Sequence, residues 1–288
     1  MLLYFLGRDF MKNVFFLFLL APLLMFVSCK ENSVDDILES IQSAEDNSIS
    51  ETEFSNIFEY INTEGDNNFS SVQKTESYDN PQINTSLLPD CASVTFDSSK
   101  KTITINFGTT NCLCRDGNYR RGILTAEFTK KPREIGTNVM ISLDNYYVND
   151  KKVEGTKTYT HTDTYKWTVS VQNASVETEK GAITWNSVRT IEKIEGGGTL
   201  NPTDDVYLIS GTAQGINRQG NEFTVTIDQP LKKVISYACM RHFVSGVWTL
   251  VNKGGATMSL DYDPIGGEPC DKIAEVTING KKKTITLR

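Results

Sequence analysis

From Cys91 to the C-terminus apolar and polar residues alternate, and a period of two restricts this part of the chain to extended strands with one buried face. Ile103, Ile105 and Phe107 alternate with threonine and asparagine. The same pattern recurs in Trp167, Val169 and Val171, in Phe223, Val225 and Ile227, in Val276 and Ile278, and in Ile285 and Leu287. A second face of Thr, Ser and Lys marks half-buried, antiparallel strands. Turn chemistry separates them at Asn149-Asp150, Gln219-Gly220-Asn221 and Asn279-Gly280, the last a type I′ hairpin pair. Paired lysines beside the strands, such as Lys100-Lys101 and Lys281-Lys282-Lys283, serve solubility and edge protection. The pattern predicts an all-β antiparallel meander of roughly 12–14 strands, closed as a sandwich or a barrel-like domain. This domain covers residues 90–288, as one body or two stacked sub-units. Gly122-Ile-Leu-Thr is echoed by Gly246-Val-Trp-Thr, and Gly155-Thr156 by Gly211-Thr212. The two offsets differ, so the chain is no solenoid.

The N-terminus carries an address. Met11-Lys12 precedes an apolar run, Val14 to Val27, which leads into Ser28-Cys29-Lys30. The run suits a signal peptide and is too short to span a bilayer unaided. A small residue directly before a cysteine is the bacterial lipoprotein processing pattern. Residues 1–28 are then the signal, with Met11 as an alternative start. Cys29 becomes the lipidated N-terminus, carrying a diacylglycerol thioether and palmitate-type acylation. Lys30, where an aspartate would favour inner-membrane retention, points to the outer membrane. Its periplasmic face and the cell surface both stay open.

Charge separates the next stretch from the rest. Residues 30–88 hold thirteen acidic side chains against Lys30 and Lys74, whereas residues 89–288 sum to +3. Residues 29–89 therefore read as an acidic tether. Two short helices fit within it: Val34, Ile37, Leu38 and Ile41 after Ser33, and Phe54, Ile57, Phe58 and Ile61 after Ser50, with Glu53 completing a capping box. Such a charge repels phosphate and excludes nucleic acid as a partner.

Side chains that could carry chemistry are few. Beyond Cys29 there are five cysteines, Cys91, Cys112, Cys114, Cys239 and Cys270. An odd number in an oxidising compartment leaves one thiol over. Cys239 and Cys270 suit one bridge, and Cys91 suits a second to Cys112 or Cys114. A metal site on Cys112-Leu-Cys114 with Cys91 would need His161 or His242, and a lone C-x-C is a weak signal. Asp261, Asp263 and Asp271 around Gly266-Gly267 form a weak calcium candidate, and no cofactor is expected. His161 and His242 stand in no nucleophile elbow. Glu127, Asp144 and Glu154 are the carboxylates a glycosidase would need to face across a cleft. Tyr146, Tyr147, Trp185 and Trp248 could present rings to a glycan, although most such rings belong to cores.

Thr104-Ile-Asn-Phe-Gly108, then Cys112 and Cys114, then Arg115-Asp-Gly-Asn-Tyr-Arg-Arg-Gly-Ile123 resemble uncharacterised lipoproteins of Bacteroidetes. So do Asp144 to Asp150, Val153 to Lys157 and Leu260-Asp-Tyr-Asp with Cys270-Asp271. The resemblance implies an envelope address and carries no known activity. Together these features predict an outer-membrane-anchored lipoprotein acting as a non-enzymatic binding or structural module. Its partners would be the membrane and a glycan or an envelope protein. The alternatives are a carbohydrate-active hydrolase and an adhesin or assembly partner.

Overall fold

The computed structural model describes residues 34–71, 86–199, 201–236, 238–239, 242–278 and 280–287. It begins with one helix, α1 (Val34–Ser71). Fourteen strands follow: β1 (Ser93–Asp97), β2 (Thr102–Asn106), β3 (Cys112–Leu113), β4 (Tyr119–Phe128), β5 (Asn138–Val148), β6 (Lys151–Asp163), β7 (Lys166–Thr178), β8 (Gly181–Glu195), β9 (Val206–Ile216), β10 (Glu222–Val234), β11 (Ser245–Asn252), β12 (Thr257–Asp261), β13 (Ile273–Ile278) and β14 (Lys281–Thr286). All belong to a single antiparallel sheet in chain order, with β3 a short flap on β4. The fold is thus an all-β meander in one open sheet, not a pair of stacked sheets.

One register row crosses the sheet without a break. It runs Asp97, Thr102, Glu127, Met140, Thr158, Ser170 and Val188. It continues through Thr212, Thr226, Thr249, Ser259, Thr277 and Lys282. This is the hydroxyl-rich outer face. The alternate residues, Ile103, Leu124, Ile141, Tyr159, Val169, Ala213, Val225, Leu250 and Leu260 among them, are buried on the other side.

What they are buried against is α1. Its side chains meet Phe107, Arg120, Tyr146, Tyr159, Trp167, Trp185, Tyr207, Lys233 and Asn252, from the end of β2 through β11. Strands sit about 4.8 Å apart, so these contacts span roughly 38 Å of flat sheet, whereas a helix is only about 10 Å across. The sheet must therefore curl around the helix. Sharp bends help it do so. Gly122 (φ 99°) and Gly246 (φ 113°), the two glycines of the sequence echo, lie against the carbonyl oxygens of Asn145 and Pro230. A Cβ would come within 2.1 and 2.5 Å of those atoms, so only glycine fits.

This corrects the reading of residues 34–71 as tether. Phe54, Ile57, Phe58 and Ile61 are each 2% exposed or less and belong to the one hydrophobic core. Burying four such side chains contributes about 6–12 kcal/mol before ordering costs. The helix does not stop between the two apolar clusters. Ser43, Asp46, Asn47, Ser50 and Glu51 continue it and are themselves buried.

The turns of a meander fall alternately at two ends. α1 starts at one, where Asn252, Asn217 and Arg218 reach Ser40, Ser43 and Asp46. It finishes at the other, where Arg133 pairs with Asp66 at 2.9 Å. Among the described residues no helix is long and apolar enough to cross a membrane.

Candidate functional site

The densest chemistry lies between α1 and the sheet. The helix carries ten acidic residues and no lysine or arginine. The strands answer with bases in their inward register positions. Arg120 on β4 sits between Glu53 (3.0 Å) and Asp116 (2.8 Å), and its Nε donates to the Tyr146 hydroxyl. Tyr146 in turn donates to Glu53 at 2.6 Å. Arg189 on β8 pairs with Glu51, and Lys233 on β10 with Glu59 at 2.9 Å. Arg218, in the β9–β10 turn, pairs with Asp46 through its side chain and its backbone N–H. Nearer the helix C-terminus, Lys193 and Asp205 pair at 2.7 Å.

These environments shift the titrating groups. Burial pushes the Glu59 carboxyl up against the pull of Lys233. Burial acts the same way on Asp116, but the hydrogen bonds and charge of Arg120 outweigh it and hold that carboxyl low. Burial, then the Glu53 charge, lifts the Tyr146 hydroxyl well above its ordinary value. Lys157 on β6 differs in kind. Its ammonium donates to the backbone carbonyl of Phe54, a helix oxygen, and burial lowers its pKa to about 7. Glu51, Glu59 and Glu53 oppose that fall, and Lys233 adds to it.

The rings expected to form an exposed platform are placed differently. Tyr146, Trp185 and Trp248 are each 1% exposed. The gap between helix and sheet is wide and takes bulky side chains: Trp185 stacks on Phe54 and donates to Asn47, and Trp248 donates to Tyr262. Tyr147 points outward, half-buried, but the Arg121 guanidinium covers its ring at 3.9 Å.

Cys91 is bonded to Cys112 and Cys239 to Cys270, leaving Cys114 as a buried thiol raised by burial. The disulfide removes two of the three cysteines of the C-x-C metal reading. The three aspartates of the calcium reading do not converge. Asp261 accepts from the Asp263 N–H, Asp263 from the Glu268 N–H, and Asp271 from the Ile273 N–H, each capping its own turn. Among the described residues no three potential ligands group together. His161 stacks on Trp167 in the core. Glu127, Asp144 and Glu154 are exposed on the outer face. Asp144 pairs with Ile123, four residues from Glu127 along β4, so the two carboxylates stand about 13 Å apart along the strand. Cys29 lies outside the described residues.

A groove of about 520 Å³ crosses the outer face from β8 to β11. Thr184, Asn186, Gln214 and Thr224 line its floor. The Glu222–Lys253 ion pair, at 2.8 Å, stands at one edge. Ile216, Phe223 and Val251 also line it, so the groove mixes hydroxyls and amides with apolar side chains and carries no net charge. No family model matches this chain, and neither a curated protein nor a solved structure does.

Sequence reasoning missed Arg120, Lys157, Arg189 and Lys233. The signal was present: each occupies a position where the period-two pattern calls for an apolar residue.

Proposed function

We propose that the chain is an outer-membrane lipoprotein, acylated at Cys29, whose β domain is a non-enzymatic binding or structural module of the envelope. The occupied interior carries this reading. The space enclosed by the sheet is filled by the chain's own helix, and the buried carboxylates Asp46, Glu51, Glu53 and Glu59 each meet a base of the sheet or its turns. A domain so filled works through its outside. The groove over β8–β11, which sets Asn186, Gln214 and Thr224 beside Ile216 and Val251, offers a neutral sugar both hydrogen bonds and apolar contact. The signal-like run ending at Ser28-Cys29 and the resemblance to Bacteroidetes lipoproteins support the address.

The test of the anchor is fractionation with acyl labelling. Wild-type chain is expected in the membrane fraction with label on the Cys29 peptide, and Cys29→Ala in the soluble fraction without it. Equal labelling and partitioning of the two would sink the proposal. The groove is tested on a glycan array: Thr184→Ala with Gln214→Ala should abolish any hit while leaving the melting temperature unchanged.

A further inference from the structure

The correction of the tether has a geometric consequence. If residues 30–88 were flexible, the β domain could range about 40–45 Å from its lipid. With α1 starting at Val34 and packed in the core, only Lys30 to Ser33 separate Cys29 from the folded body, a reach of at most about 18 Å. The end of the meander at which α1 starts is thus held beside whatever surface holds Cys29.

That end exposes apolar side chains. Leu38 and Ile41, one turn apart on α1, are 59% and 41% exposed. Leu113 and Tyr119 form a cross-strand pair on β3 and β4 and are 54% and 45% exposed. The β3–β4 flap belongs to the same end, because Tyr119 bonds with Asn149 in the β5–β6 turn, through its N–H at 2.9 Å and its carbonyl at 2.8 Å. Charges of both signs fall at this end: Glu39 and Glu45 on the helix, and Lys151, Lys180, Lys253 and Lys281 at the turns.

We infer that this end is a membrane-seating face: Leu38, Ile41, Leu113 and Tyr119 rest in the headgroup layer of the bilayer that holds Cys29, and the molecule stands on its β-turns. The occupant is a phospholipid surface because four residues of chain allow no partner domain between anchor and fold. Aliphatic side chains and a tyrosine suit the headgroup boundary, where the ring buries its body and keeps its hydroxyl wet. Because the charges are mixed, the contact is held by the anchor and apolar burial and persists in high salt. The inference rests on acylation of Cys29.

A photo-reactive diazirine residue placed in the full chain at Leu38, Leu113 or Tyr119, one at a time, tests the idea. Ile135, Tyr165 and Ile265, exposed at the opposite end, serve as the comparison set. Membranes of expressing cells are irradiated, and phospholipid adducts are read by mass spectrometry. The same digest reports the acyl state of the Cys29 peptide. The expected result is acylated Cys29, lipid adducts from the first set in low and high salt, and none from the second. Acylated Cys29 with adducts from the second set, or from neither, overturns the seating while leaving the anchor intact. Unacylated Cys29 overturns the anchor and the seating with it.

Discussion

At the residue scale, Lys157 gives the clearest expectation. Its folded pKa is about 7 against an ordinary 10.5. Between those values the folded chain has released a proton that the unfolded chain still holds. Stability therefore rises with pH across that window, by up to about 1.4 kcal/mol per pH unit from this group. Below about pH 7 both states are protonated and the cost of the buried charge is fully present. Lys157→Met should remove that rise and gain stability at about pH 6, read as urea midpoints at about pH 6 and 9.5; a slope equal to the wild type's would refute it. Arg120 behaves oppositely, since its loss strands Glu53 and Asp116 in the core. Arg120→Met is expected to cost about 3–5 kcal/mol, and adding Glu53→Gln should recover part of it. Denaturation of the single and double variants decides this: equal stabilities would mean that the triad is uncoupled. These residues were hard to read because an inward basic residue looks identical in sequence to an outward one. Only the register places Lys157 beside Tyr159 on the buried face.

At the scale of elements, the strands were legible and the helix was not. Alternation fixes a strand's buried face directly, which is why Ile103, Val169 and Val225 fall inside. Helices are recognised by an apolar stripe, and α1 shows one only in two pieces, Val34 to Ile41 and Phe54 to Ile61, of which the second is buried. Elsewhere its buried positions are Ser40, Ser43, Asp46, Asn47 and Glu51, because the wall facing them offers Asn252, Asn217, Arg218, Trp185 and Arg189. The clue lay in the charge split itself. An acidic stretch followed by a slightly basic β domain reads as tether plus body until the bases are assigned to the inner face. A chain beginning near Leu88 is therefore expected to lack cooperative melting and to bind hydrophobic dyes, and a sharp β-type melt would argue that α1 only decorates the sheet. The two disulfides tie connections together. The loops span 21 and 31 residues, and each bridge contributes about 3–4 kcal/mol in the loop-entropy model. Non-reducing peptide maps should show Cys91 with Cys112 and Cys239 with Cys270, with Cys114 alkylated only after unfolding; alkylation of the native protein would place that thiol at the surface.

At the scale of the whole folded body, the helix is the solvent of its own sheet, and the two cannot be stable apart. Side-chain bonds join residues 138 to 212 positions apart, from Trp185 with Asn47 to Asn252 with Ser40. Such separations oppose early local assembly and favour slow folding. An isolated α1 would expose Phe54, Ile57, Phe58 and Ile61, and its buried acids would repel one another without Arg120, Arg189, Lys233 and Arg218. The curled sheet without α1 would leave those same bases unpaired in an apolar shell, at several kcal/mol for each charge. Helix and sheet should accordingly unfold in one step. Trp167, Trp185 and Trp248 all lie on the inner face, the first edge-on to Phe58 and the second stacked on Phe54 of α1, so their fluorescence reports helix–sheet packing. Far-ultraviolet circular dichroism reports the secondary structure. The urea transitions followed by the two probes are expected to coincide, and Glu51→Ala should shift both by the same amount. A fluorescence change that precedes loss of the β signal would mean that the sheet survives the departure of its helix, and the account of a mutually dependent core would fail.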